Sequence, residues 1–144
     1  MRKIKFRLIR DNKIVGYELH EFDMNHVYIF HSRINDDSSY NITAVEGAEI
    51  TCDMKEQFTG LCDKNGKEVY EGDIVTLSYG IPPTFDTLLI EYADDEYVAD
   101  ISVSGWWMRN IRPNGCSSSL CKTYENDIEI IGNIHENPEL LKEQ

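Results

Sequence analysis

Residues Glu56–Leu77 read EQFTGLCDKNGKEVYEGDIVTL, and nearly every position in them has a backbone reason. Asn65-Gly66 is the type of pair that best tolerates positive φ at both central positions of a two-residue type I′ hairpin loop. The sequence therefore predicts a tight hairpin at that pair, flanked by Lys64 and Lys67. Val69, Ile74, Val75 and Leu77 supply β-branched and aliphatic residues for the strands that follow, and Glu71-Gly72-Asp73 interrupts them as a second turn. Gly72 permits a sharp bend or a close backbone approach, and Asp73 can accept a hydrogen bond from the backbone ahead of the next strand. Asn65, Gly66, Gly72 and Asp73 are thus expected to be structural turn residues, and the stretch needs no substrate to explain it.

Asp63, Asn65, Gly66 and Glu68 are also the residue types of a calcium loop, but their spacing is wrong. An EF-hand places its glycine at the sixth loop position and a bidentate glutamate at the end. Gly66 is only the fourth residue counted from Asp63. A hairpin turn accounts for these residues and a calcium site does not.

The segment QFTGLCDKNGKEVYEGDIV, the opening MRKIKFR and the tail IIGNIHENPELL together resemble the YopX family, phage and prophage proteins of Gram-positive bacteria. Cys62 stands where a polar or basic residue is expected after TGL, and His135 where an aromatic one is usual. The resemblance implies a mainly β chain: a small, partly open barrel of the Src-homology-3 type with extra N-terminal strands and a short C-terminal helix. It implies one domain over residues 1–144, with an N-terminal β segment at 1–55, a barrel core at 56–134 and a helical tail at 135–144. It brings no catalytic residue and no cofactor.

Composition agrees with that class. The chain has 144 residues, one domain's length, with 41% hydrophobic and 28% charged residues, as in a soluble globular protein. No apolar run approaches the roughly eighteen residues of a membrane span. The basic opening MRKIKFRLIRD lacks the apolar h-region of a signal peptide. The expected location is the bacterial host cytoplasm, with no membrane partner.

Charge is the most distinctive bulk property: 26 acidic against 14 basic residues, a net charge of -12. Arg2, Lys3, Lys5, Arg7 and Arg10 are five of the basic residues, so the chain after residue 10 holds 9 basic and 26 acidic, or -17. Such a body repels a phosphate backbone, which disfavours direct nucleic-acid binding. In the N-terminal segment Ile4, Phe6 and Leu8 alternate with Lys3, Lys5 and Arg7. That pattern fits a half-buried strand whose lysines discourage edge pairing. It also fits a cationic finger for an acidic surface, such as the body of a second copy.

Strand signals dominate the remainder. Asn12-Lys13 reads as a turn into NKIVGYELHEF, and HVYIFHS carries large side chains on both faces, consistent with burial on both sides. DTLLIEY and EYVADISVSGWW read as two strands around the acidic turn Ala93-Asp94-Asp95, and NDIEIIGNI as the last strand. Asn137-Pro138-Glu139 has the N-cap, first-position proline and first-turn acid that start a helix, with Leu140 and Leu141 on its apolar side.

Chemical motifs are absent or misspaced. Cys52, Cys62, Cys116 and Cys121 give C-x9-C and C-x4-C, and only CSSSLC approaches the close pairing of a zinc site. Free thiols and no metal are expected. His20, His26 and His31 lie near Glu18, Glu21 and Asp23, but HEFDMNH is not HExxH, and the group reads as a surface cluster with a weaker metal option. There is no nucleophile elbow, phosphate-binding loop or dinucleotide fingerprint. The paired acids Asp36-Asp37 and Asp94-Asp95 are common in so acidic a chain. No catalytic or cofactor-binding residue is expected.

GWWMRNIRPNG is the stretch best suited to a partner. Adjacent residues on a strand face opposite ways, so one of Trp106 and Trp107 can fill the core while the other is exposed near Arg109 and Arg112. Tryptophan with arginine is the combination enriched at binding hot spots. Equally, both indoles can pack internally and Pro113-Asn114-Gly115 merely end the strand. The expectation is therefore a phage or prophage accessory protein without enzymatic activity, a module binding a host or phage protein, with a basic partner or self-association both compatible. The alternative is an acidic DNA mimic that occupies the groove of a nucleic-acid enzyme, which would need its carboxylates in an extended row.

Overall fold

The computed structural model describes residues 4–22, 24, 27–33, 50–98 and 101–142. Among the described residues the chain is mainly β, arranged in two antiparallel sheets with two short 3-10 turns. Among those residues the two sheets do not close into a barrel. Backbone contacts group the chain into two compact units, Met1–Gly60 and Leu61–Gln144.

In the first unit the strands are β1 (Ile4–Arg10), β2 (Lys13–Phe22), β3 (Val27–Arg33) and β4 (Met54–Cys62), laid side by side as β3-β2-β1-β4. Asp11 and Asn12, with φ of 52° and 61°, form the loop between β1 and β2, and Arg10 pairs with Lys13 across it. This is the positive-φ pair that a two-residue hairpin requires, made without glycine and one residue earlier than Asn12-Lys13. β3 is the outer strand of this sheet, which leaves Ile29 exposed instead of buried on both sides.

β1 is buried along its centre on both faces, at Arg7, Leu8 and Ile9. Arg7 lies opposite Glu56 of β4 and donates from Nε to its Oε1 at 2.8 Å, both side chains buried. Lys5 sits over the Tyr17 ring, 5.1 Å from its centre. These contacts within the sheet make the described part of β1 a half-buried strand, as its alternation implied, while Arg2 and Lys3 of the proposed cationic finger lie outside the described residues.

The second unit holds β5 (Glu68–Tyr70), β6 (Asp73–Tyr79), β7 (Thr84–Val98), β8 (Ile101–Asn110), β9 (Ser118–Ser119) and β10 (Ile128–Asn133). All but β5 form a sheet in the order β10-β6-β7-β8-β9. Val69, Val75, Leu88, Ile90, Met108, Leu120 and Ile128 form its core. β7 runs unbroken through Ala93-Asp94-Asp95; the acidic residues are a bulge in one strand, two of them opposing a single residue of β8.

The Asp63–Lys67 hairpin is not the predicted two-residue type. Gly66 has φ of 79°, but Asn65 is not in the positive region, and the Gly66 N–H bonds to the Asp63 carbonyl at 3.0 Å. This matches a type I turn closed by a left-handed glycine. Asp63 explains the choice: its buried carboxylate accepts the N–H groups of Asn65 and Lys67 on Oδ1, both at 2.9 Å, and that of Ile130 on Oδ2 at 3.0 Å. At the next turn Gly72 has φ of 84°, and the Tyr70 N–H bonds to Asp73 Oδ2 at 2.8 Å. Gly72 also donates to the Ile90 carbonyl and accepts from the Ile134 N–H, a close three-strand approach.

The C-terminal helix reduces to one 3-10 turn, Pro138–Leu141. Asn137 does not cap it; its side-chain oxygen instead accepts the Asn133 N–H at 3.3 Å, while Asn133 Oδ1 accepts the N–H groups of His135 and Glu136. The asparagines are committed to the turn after β10.

Candidate functional site

The antiparallel register of β7 and β8 assigns the tryptophans to opposite faces. Trp106 lies opposite Tyr92 on the face of Ile90 and Met108, packs against the core, and meets the Tyr92 ring edge-on at 5.2 Å. Trp107 lies opposite Glu91 and Ser119 on the other face, which also carries Leu89 and Arg109. Both indoles are half-buried.

The arginines are already engaged within the fold. Arg109 makes two bonds to the Glu91 carboxylate, Nε to Oε2 at 3.1 Å and Nη2 to Oε1 at 3.0 Å. Arg112 binds the buried carboxylate of Asp86 through Nη2. Tyr79 hydrogen-bonds to the same carboxylate, and that bond raises the phenol's pKa. Of the four residues, Trp107 and Arg109 share a face beside solvent, whereas Trp106 serves the core and Arg112 neutralises Asp86.

What the sequence reading missed is the turn between β6 and β7. Tyr79 and Phe85 are 47% and 64% exposed, and Ile81 at its tip is fully open to solvent. Pro82 and Pro83 complete the exposed loop. Single exposed apolar residues are unremarkable, but three large ones fall at the end of one hairpin: the register sets Phe85 with Ser78 on one face and Tyr79 with Thr84 on the other, with Ile81 in the loop that joins them. From Ser78 to Phe85 the chain reads SYGIPPTF, without one acid or base, a signal visible in so acidic a sequence.

The histidine cluster is resolved in part. Glu18 of β2 is buried, and its Oε1 faces His20 Nε2 at 2.6 Å, while Oε2 faces His31 Nε2 at 2.8 Å and Lys55 Nζ at 2.9 Å. His31 lies directly opposite Glu18 in the register of β2 and β3. Its Nδ1 accepts the Ile50 N–H at 2.9 Å, so in the neutral ring Nε2 carries the proton given to Glu18. Burial alone would raise the Glu18 pKa; the hydrogen bonds from His20, Lys55 and His31 outweigh it and lower the value to about 2. A carboxylate held so far below neutrality is a poor general base. Lys55, thirty-seven residues from Glu18, was not legible as the carboxylate's partner. His26 and Asp23 lie outside the described residues.

Among the described residues no group of three His, Cys, Asp or Glu side chains could hold a metal. Cys116 and Cys121, both exposed free thiols, flank the short strand β9, and Cys121 Sγ contacts the Thr123 hydroxyl at 2.9 Å. No helix among the described residues is long and apolar enough to cross a membrane.

Residues 5–142 match the family model described as YopX protein. The chain belongs to the YopX family. The match extends well beyond the three motifs and takes in the β6–β7 hairpin, β8 and the Glu18 cluster. Among solved structures, the crystal structure of protein EF1440 from Enterococcus faecalis is similar, with a TM-score of 0.42 and 23% identity over 99% of each chain. No curated protein matches.

Proposed function

We propose that this YopX-family chain is a non-enzymatic protein-binding module, a phage or prophage accessory protein working in the bacterial host cytoplasm on a host or phage protein. One observation carries the reading: three large side chains, Tyr79, Ile81 and Phe85, are exposed on the two faces and the loop of one hairpin end, in a chain with net charge -12. Exposed apolar side chains gathered on one projection can anchor a protein interface, because burying them against a partner recovers the hydrophobic term that folding did not use. Trp107 and Arg109 of β8 offer a further aromatic and cationic contact. The buried polar groups support the same reading, since Asp63, Asp73 and Glu18 each accept hydrogen bonds that hold strands or turns together.

Affinity capture from phage-infected host lysate tests the proposal. The wild-type chain should retain a stoichiometric protein partner that a Phe85→Ser variant, equally folded, retains much less. Hydrolysis of a phosphoester or peptide substrate by the pure protein, or tight binding to bare duplex DNA, would overturn it. Displacement of DNA from a captured nucleic-acid enzyme would favour the DNA-mimic reading instead.

A further inference from the structure

Among the described residues, the β6–β7 hairpin differs from the exposed apolar end of β2 in being uncharged throughout. Phe22 and Met24, exposed at the end of β2, are interrupted in sequence by Asp23 and preceded by Glu21. Between Ser78 and Phe85 nothing is charged, and the first charge met is Asp86, already neutralised by Arg112. The hairpin is also held in shape. Tyr79 and Arg112 both bind Asp86 beneath it, the Ser78 N–H bonds to the Asp127 carbonyl at 3.1 Å, and Ser78 pairs with Phe85 across the strands. An apolar projection ordered before binding loses little freedom on docking.

Resting on the protein-binding reading, we infer that the Tyr79–Phe85 hairpin is a prong that enters an apolar pocket rimmed by lysine and arginine on a partner protein. The apolar tip supplies the burial and the rest of the chain supplies the charge complementarity. A net charge of -12 attracts a cationic rim and accelerates encounter. The same charge opposes the other two occupants of an apolar tip: a second copy brings another -12, and a bilayer containing anionic lipid is repelled likewise.

The test places a photo-crosslinking amino acid at Pro83, an exposed loop position that leaves Tyr79, Ile81 and Phe85 intact. The full chain is irradiated in host lysate, alone, and with vesicles of phosphatidylcholine with and without phosphatidylglycerol. The expected result is one protein adduct from the lysate whose crosslinked peptide is apolar and flanked by lysine or arginine. Its yield at limiting concentration should fall at least tenfold with Ile81→Ser plus Phe85→Ser, and severalfold when salt is raised so that the Debye length drops from about 10 Å to about 3 Å. Because the substituted side chains are exposed, the variant should melt with the wild type. A crosslinked homodimer, a lipid adduct, or an adduct insensitive to salt or on an acidic surface overturns the inference. An adduct on a non-basic partner protein overturns it while leaving the protein-binding function standing, whereas absence of any protein adduct or captured partner removes both.

Discussion

Replacing Asp63 with alanine removes one carboxylate and strands three backbone donors at once. Hydrogen bonds to a charged group contribute about 1.5–3 kcal/mol each. The Asn65 and Lys67 amides lie in an exposed turn, where water takes over much of what they lose, so they account for about 1 kcal/mol each. The Ile130 amide lies between the hairpin and β10, where the full loss of about 2 kcal/mol applies. Asp63→Ala should therefore destabilise the second unit by about 4 kcal/mol. Asp63→Asn keeps an oxygen for Asn65 and Lys67 but turns an NH2 toward the Ile130 N–H, and should cost about 2 kcal/mol. Trp106 and Trp107 are both in the same unit, so urea unfolding followed by tryptophan fluorescence reads it directly. A loss below about 1 kcal/mol for alanine, or equal losses for the two variants, would refute the account of this carboxylate as a three-way acceptor.

Other outcomes follow from the same geometry. Glu18 is lowered from 4.5 to about 2 on folding, so its contribution is complete above pH 4.5 and disappears as the pH falls toward 2; a urea midpoint measured down that range should drop more for wild type than for Glu18→Gln. Gly66→Val should destabilise by about 1–2 kcal/mol, because a Cβ meets nothing within 4 Å and only the φ of 79° is strained, while Gly66→Asn should be much milder in thermal melts. Met108→Ala, a fully buried core residue, should cost about 2–5 kcal/mol by chemical denaturation. Elemental analysis of purified protein should find no stoichiometric zinc, and near one zinc per chain lost on Cys116→Ser with Cys121→Ser would reverse that expectation.

The strands were legible because alternation and β-branching depend on neighbours in sequence. Ile74-Val75, Leu88 to Ile90 and Ile128 announce themselves and do form core strands. The turns were legible only as locations. Asn65-Gly66 marks a turn, yet the turn's type was decided by Asp63 reaching forward to Lys67 and across to Ile130, a partner sixty-seven residues away. Arg7 read as an exposed cation because Glu56, its buried partner, is brought alongside only by the pairing of β1 with β4. The same limit hid Lys55 from Glu18. At the tryptophan stretch, adjacent residues gave the alternate faces that the register shows but no hint that Asp86 would occupy Arg112.

The division between the two compact units falls inside β4, after Gly60 in a strand that continues to Cys62. A domain boundary is ordinarily a tether, and a tether can be lengthened, nicked or spliced. Here the joint is itself a piece of ordered secondary structure. Insertions at residue 60 would break a strand instead of extending a linker, and a cut there would leave each fragment a truncated β4 with raw backbone donors and acceptors at the new end. A gene shuffled at that point should therefore yield aggregated fragments, while one shuffled within a surface turn should still yield soluble protein.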